Sequence, residues 1–259
     1  MIYNYHTHTF RCSHASGTEE EYIKRAIENG IKYMGFSDHF PFICSDGHES
    51  SFRVPISQVE DYFCTINALR EKYKAEIDIK IGFEMEYYPE NFEEMLENAK
   101  KYGAEYLIMG EHFTEEELEG VIPSGNPSDS VEKLKIYVER VCEGIATGAF
   151  TYVAHPDLIN FTGDDAVYKE EIRKICRASR EYDVPLEINF LGIREGRLYP
   201  RDLFWETVGD EKAPVTFGFD AHSVRAAFDG DSLVKAKEMV KKYKLNYIGK
   251  PNLIFLNNV

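Results

Sequence analysis

The sequence predicts an α/β barrel of mostly parallel strands, on three observations. A short β-rich run, a polar loop and an amphipathic helix alternate along the whole chain, a pattern whose crossovers lay helices over a parallel sheet. The length of 259 residues is ordinary for one barrel domain. Seven of the eight histidines fall at the end of a predicted strand or in the loop directly after it, on the face where a parallel barrel gathers its functional groups.

In order, the predicted strands are Ile2 to Tyr5, Lys32 to Ser37, Ile77 to Glu84, Glu105 to Met109, Thr151 to Ala154, Pro185 to Phe190 and Val215 to Phe219, with Leu253 to Leu256 as a candidate extra. Between them apolar residues recur at helical spacing. Tyr22, Ile23, Ala26 and Ile27 form one stripe; Val59, Tyr62, Phe63, Ile66 and Leu69 form a second; Val131, Leu134, Val138, Val141 and Ile145 form a third. Thr18 with Glu21 and Ser57 with Glu60 have the spacing of a capping box, in which each side chain satisfies an exposed backbone donor. The longest loops, Phe40 to Ile56, Phe113 to Ser128 and Leu191 to Arg201, all follow strands. Long loops at one end of a barrel carry function. No linker, repeat or low-complexity segment divides the chain, so residues 1–259 are read as a single domain.

Composition narrows the function. A net charge of -15 repels polyanions over most of the surface, which argues against sustained contact with nucleic acid but leaves room for a small anion in a locally positive pocket. No basic and apolar leader opens the sequence and no apolar run approaches membrane-spanning length, so the expected compartment is the cytoplasm. Five scattered cysteines, without a Cys-x-x-Cys pair, are expected to be reduced thiols. No apolar patch on the helix faces identifies an oligomer.

The histidines at strand ends are His6, His8, His14, His39, His112, His155 and His222; His48 lies mid-loop. Carboxylates accompany them: Asp38 beside His39, Glu84 at a strand end, Asp157 after His155 and Asp220 before His222. Imidazole nitrogen with carboxylate oxygen suits zinc, manganese or iron. In His6-Thr7-His8 the period of a strand sends both rings to one side, and Asp220-Ala221-His222 repeats the arrangement on the last barrel strand.

In sequence order, the blocks are His6-Thr7-His8-Thr9 with Cys12 and His14, Gly35-Phe36-Ser37-Asp38-His39, Gly82-Phe83-Glu84-Met85-Glu86-Tyr87 and Gly110-Glu111-His112-Phe113. Val153-Ala154-His155-Pro156-Asp157, Glu187-Ile188-Asn189, the loop with Arg194, and Asp220-Ala221-His222 complete the set. Together they resemble the PHP (polymerase and histidinol phosphatase) superfamily, and within it the histidinol-phosphate phosphatases of histidine biosynthesis. The resemblance implies a distorted, TIM-like (β/α)7 barrel holding three divalent metal ions, zinc, manganese or iron, at the C-terminal end of its strands. It implies a first metal on His6, His8, Glu84 and Asp220, a second on Glu84, His112 and His155, and a third on His14, His39 and His222. Glu111 before His112 and Phe219 before Asp220 depart from the family's usual residues, which bears on substrate choice.

The expected reaction is hydrolysis of a small phosphate monoester, L-histidinol phosphate, by a hydroxide bridging two metals. Another small phosphate ester or nucleotide, or a non-catalytic metal-binding module, are the alternatives. Arg194 is the first choice for the phosphate, because a guanidinium fork matches two phosphate oxygens, and Arg197 is the second. Arg201 is read as solvated; Arg53 is a lesser candidate at the mouth. Asp220 or His222 is a candidate general acid, and Asn189 a candidate for orienting a ligand or contacting substrate. Phe10, Phe40, Phe42 and Phe113 are candidate walls for a flat ring. Glu111, or the cluster Glu115 to Glu117, is a candidate attractor of the substrate's amine.

Overall fold

The computed structural model describes all 259 residues. Eight parallel strands follow one another across a single sheet in sequence order. They are β1 (Tyr3–Asn4), β2 (Tyr33–His39), β3 (Asp78–Met85), β4 (Tyr106–Met109), β5 (Phe150–Val153), β6 (Leu186–Asn189), β7 (Pro214–Gly218) and β8 (Asn246–Tyr247). The helices are α1 (Glu19–Glu28), α2 (Val59–Tyr73), α3 (Phe92–Tyr102), α4 (Val131–Ala146), α5 (Asp165–Tyr182), α6 (Phe190–Glu195), α7 (Asp202–Glu211) and α8 (Gly230–Lys242).

The sheet curls until its ends meet. Beyond β1 and β7 the chain forms a parallel bridge between Thr7 and Ala221, with the His8 N–H donating to the Ala221 carbonyl at 3.0 Å and the Ala221 N–H to the His6 carbonyl at 3.2 Å. Seven strands therefore make the barrel wall, and β8 adds a short eighth to the start of β7. The eighth strand is not Leu253 to Leu256. That stretch has irregular backbone: the Ile254 N–H donates to Thr151 Oγ1 at 3.1 Å, the Leu256 N–H donates to the Glu105 carbonyl at 3.0 Å, and a 3-10 turn closes at Leu256–Asn258.

Two apolar layers hold the wall. Outside it, the helix stripes bury Tyr22, Ile23, Tyr62, Ile66, Leu134 and Val141 against the sheet. Inside it, Tyr3, Tyr5, Tyr106, Ile108 and Tyr152 form a separate cluster. A tyrosine fills more volume than the aliphatic residues usual in a barrel, but its hydroxyl needs a partner. The Tyr106 hydroxyl donates to the Tyr5 carbonyl at 2.8 Å, and the Tyr3 hydroxyl bonds Thr216 Oγ1 at 2.9 Å. Glycine at 35 makes room for the Tyr106 ring, which a Cβ there would overlap.

The predicted capping box of Thr18 and Glu21 opens α1. Ser57 does not cap α2: a 3-10 turn at Ile56–Gln58 runs straight into the helix, so the backbone supplies the first turn and no side-chain cap forms. No helix is long and apolar enough to cross a membrane.

Candidate metal centre and cavity

Strand register assembles the site. His39 and Glu84 are direct partners across β2 and β3, while His112, His155 and Asp220 each stand just past the end of the following strands. His155 and Asp220 take positive φ, 31° and 46°, as the chain turns sharply off its strand. The structure gathers all seven strand-end histidines around Glu84 and Asp220 at this end of the barrel; His48 is exposed elsewhere.

Glu84, 1% exposed, divides the group. Its Oε2 lies 3.4 Å from His6 Nε2, His8 Nε2 and His39 Nδ1, and its Oε1 lies 2.8 Å from His155 Nε2 and 3.7 Å from His112 Nε2. Asp220 Oδ1 is 3.3 Å from His8 Nε2, 3.6 Å from His6 Nε2 and 3.1 Å from His222 Nδ1. His14, His39 and His222 form a further triad on the outer side.

Outer carboxylates fix the ring orientations. Glu187 Oε1 lies 2.8 Å from His6 Nδ1, Asp38 Oδ1 3.3 Å from His8 Nδ1 and Glu86 Oε1 2.8 Å from His112 Nδ1. A carboxylate only accepts, so in each ring Nδ1 carries the proton and Nε2 keeps its lone pair. His6 Nε2 and His8 Nε2 then face each other at 3.1 Å, two lone pairs with nothing between them to donate. Glu84 Oε1, Asp220 Oδ1, His39 Nδ1 and His222 Nε2 are buried without a hydrogen-bond partner. Uncompensated acceptors at this density are costly, and shared cations relieve them. The donor set is that of a divalent-metal centre.

Without a metal, the same carboxylates draw protons to His6 and His8 in a cation's place. Burial opposes protonation of His6 and His8, but the carboxylates around them outweigh it, holding His6 well above the ordinary imidazole value and His8 at about 9. Burial would raise the carboxyl pKa values of Glu84 and Asp220, yet the surrounding imidazoles hold both well below the usual range. His39, buried beside His8, is held well below the usual imidazole value. Burial and Asp38 push the Cys12 thiol up, so it stays protonated and donates to the Thr9 carbonyl.

Glycines allow two of the carboxylates to pack. A Cβ at Gly110 would overlap the Glu84 carboxylate, and one at Gly218 would overlap that of Glu187.

The group opens into a cavity of about 420 Å³, where His14, His39, Glu84, His112, His155, Asp220 and His222 share the lining with Phe52, Phe113, Glu195, Arg197 and Tyr199. The PHP domain model matches residues 4–190, most of the chain. This chain belongs to the PHP domain family. A "Probable histidinol-phosphatase" of Deinococcus radiodurans is 26% identical to this PHP chain over 236 residues, covering 84% of the chain and 85% of the relative. The histidinol-phosphatase of Bacillus subtilis is 24% identical, covering 84% and 92%. In fold, the PHP chain is similar to histidinol phosphate phosphatase of Lactococcus lactis, solved with zinc, L-histidinol and phosphate: TM-score 0.70, 21% identity, 95% of each chain covered.

Not every residue singled out in the sequence reaches the PHP cavity. Arg194 lies on α6, not in an open loop, and turns away: Nη1 donates to Asp229 Oδ2 at 3.0 Å and Nη2 to the Asp220 carbonyl at 3.2 Å. It is absent from the cavity lining, whereas Arg197 is on it, bonded to Glu195 and to the Tyr199 hydroxyl. Asn189 caps α6 and donates to Asp220 Oδ2 at 3.0 Å and Glu187 Oε2 at 2.8 Å, so it orients a carboxylate and lines no part of the cavity. Glu111 is buried behind the wall, accepts from the Tyr87 N–H, and is pushed far up by burial. Arg53 is buried too, bound to Glu86 and Glu117, which removes Glu117 from the acidic surface cluster. Asp157 accepts from Trp205 Nε1 and the Arg201 N–H, away from the ligands. Phe113 walls the cavity; Phe10 is exposed and Phe40 is core.

Phe52, Glu195 and Tyr199 were not singled out from the sequence. They lie in or beside loops, where spacing carries no signal. Glu187 had one: it precedes Asn189 by two on a strand, so both face the same side.

Proposed function

We propose that this PHP domain hydrolyses L-histidinol phosphate to L-histidinol and phosphate, as a phosphoric monoester hydrolase with three divalent ions, zinc, manganese or iron. The observation that carries the reading is the pair of imidazole lone pairs of His6 and His8, 3.1 Å apart and flanked by Glu84 and Asp220, two carboxylates that line the same cavity as Arg197. His6, His8, Glu84 and Asp220 would hold the first ion, Glu84 with His112 and His155 the second, and His14, His39 and His222 the third. Ions held there supply Lewis-acid charge for the phosphoryl oxygens and a hydroxide nucleophile at neutral pH. Phosphate monoesters need accelerations of up to about 10^21-fold, which favours concentrated charge over any single acid or base.

The chain's own residues bind and orient. Arg197 takes phosphate oxygens. Its guanidinium is held 3.1 Å from the Tyr199 hydroxyl, and Glu195 sits 2.8 Å away on the same rim. A basic and an acidic group side by side suit a substrate carrying both a phosphate and an ammonium. Phe52 and Phe113, stacked at 5.9 Å with 19° between their planes, wall the space for an imidazole ring. Asp220 and His222 stand 3.1 Å apart at the cavity, but the imidazoles outweigh burial and hold Asp220 well below the usual carboxylate range, and burial holds His222 at about 4, so neither keeps a proton at neutral pH for the leaving alkoxide.

Phosphate release from L-histidinol phosphate by metal-loaded protein, beside a chelated sample, tests the reading. Turnover that disappears on chelation supports it; no turnover with a full metal complement overturns the substrate, and a panel of small phosphate esters then replaces it.

A further inference from the structure

The chain has 45 carboxylates and 12 arginines, and ten of those arginines lie within ion-pair distance of a carboxylate. The two that do not are Arg25, on α1, and Arg225, in the 3-10 turn Val224–Ala227. Both line the same cavity, about 460 Å³, separate from the one at the metal centre. Lys235 of α8 and Arg194 line it as well. Four cationic groups thus face two carboxylates, Asp229 and Asp231, and Asp229 is already engaged by Arg194 at 3.0 Å and by the Ser232 hydroxyl at 2.7 Å.

On a chain of net charge -15, acidic partners are available almost everywhere. Only these two guanidiniums are left without a carboxylate, and they stand on two separate elements around one concavity, where a bound anion gains both as donors. Guanidinium forks match the oxygens of a phosphate group in two-point fashion. The cavity also opens at the first turn of α8, whose dipole favours negative charge there.

We propose that this cavity is a second anion site, which binds a phosphate dianion, free or on a small polar ester, between Arg25 and Arg225. It lies outside the phosphatase reading and does not depend on it. Arg194 joins the two regions, since the same guanidinium that lines this cavity donates to the Asp220 carbonyl.

Equilibrium dialysis of metal-loaded protein against labelled inorganic phosphate tests the site by counting equivalents. The wild type is expected to bind two, one at the metal centre and one here. Arg25→Glu with Arg225→Glu is expected to bind one, and Arg25→Lys with Arg225→Lys to keep both, with hydrolysis of p-nitrophenyl phosphate unchanged in each. Should the charge reversal fail to fold, Arg25→Gln with Arg225→Gln replaces it, with at least tenfold weaker binding of the second equivalent expected. Phenylphosphonate, which carries the dianion on a carbon, separates the sources: tighter binding than phosphate at the second site assigns a phosphate ester, weaker binding the free ion. A charge-reversed protein that binds as many equivalents as the wild type, whatever that number, overturns the proposal.

Discussion

Glu187 holds His6 from behind: Oε1 lies 2.8 Å from Nδ1, while Oε2 accepts from the His155 N–H at 3.1 Å and the Asn189 amide at 2.8 Å. One buried carboxylate therefore sets the tautomer of one imidazole and the backbone position of another. Glu187→Gln keeps the shape but loses the charge that raises the basicity of His6. Metal affinity is expected to fall 10- to 100-fold, the usual cost of losing such a support. Competition with a chromophoric chelator measures it; affinity equal to wild type would show that Glu187 does not support the centre.

Removing the metals is expected to lower stability as well as activity. Ions that bind only the folded state stabilise it by RT ln(1 + [L]/Kd), about 4 kcal/mol at a thousandfold excess over Kd. The effect should weaken at lower pH. Burial opposes the proton on His8, but Asp220, Asp38 and Glu84 outweigh it and hold the group at about 9, so protons compete harder with metal as pH falls. Thermal unfolding of stripped protein with added zinc or manganese should show a larger rise in Tm at pH 8 than at pH 6. Equal shifts at both would remove the competition.

The barrel and the gathering of seven histidines were legible because both rest on periodicity: parallel strands open their ends on one face, and residues at those ends must meet. The partners of individual charges were not. Arg194 and Arg197 are three apart in one segment, yet α6 ends at Glu195 and Gly196, at φ 63°, turns the chain, so Arg194 reaches Asp229 while Arg197 stands on the cavity. Arg53 lies in one long loop and Glu117 in another, and only the fold buries them together. Leu253 to Leu256 has the composition of a strand, but its backbone donors go to the Thr151 hydroxyl and the Glu105 carbonyl, partners that no periodicity of the segment announces.

Those two arginines should separate cleanly. Arg197→Ala removes the cation facing the cavity. A charge-assisted hydrogen bond contributes about 1.5–3 kcal/mol, so kcat/KM for the phosphate ester should fall roughly 10- to 150-fold. Arg194→Ala leaves Asp229 and the carbonyls of Phe219 and Asp220 without their donor and should act through stability, with KM little changed. Steady-state kinetics beside urea unfolding distinguishes the two. An Arg194 variant with the larger KM defect would reverse the assignment of the phosphate contact.

Gly110 tests how closely the centre is packed. A Cβ there would meet the carboxylate of Glu84, which stands between two groups of histidines. Gly110→Ala should displace that carboxylate and lower the number of bound metals, while the apo protein still folds. Metal content by elemental analysis, beside circular dichroism, reads both; a full metal complement would show that the wall yields.

Arg53→Met should cost about 3–5 kcal/mol, because it strands Glu86 and Glu117, 1% and 9% exposed, as buried charges without a cation. In the native protein, burial raises the Glu117 pKa but Arg53 outweighs it and holds the group below the ordinary value. Its stabilising contribution is therefore present at neutral pH and lost as pH falls through the carboxylate range. Without Arg53 the sign inverts: the buried carboxylates prefer protons in the folded state, so the variant gains stability relative to wild type as pH falls. Urea unfolding of metal-free protein at pH 7.5 and pH 5 should show the gap narrowing at the lower value. A gap independent of pH would mean that the loss comes from packing of the Arg53 stem against Phe52, 4.9 Å from its guanidinium, rather than from the charges it neutralises.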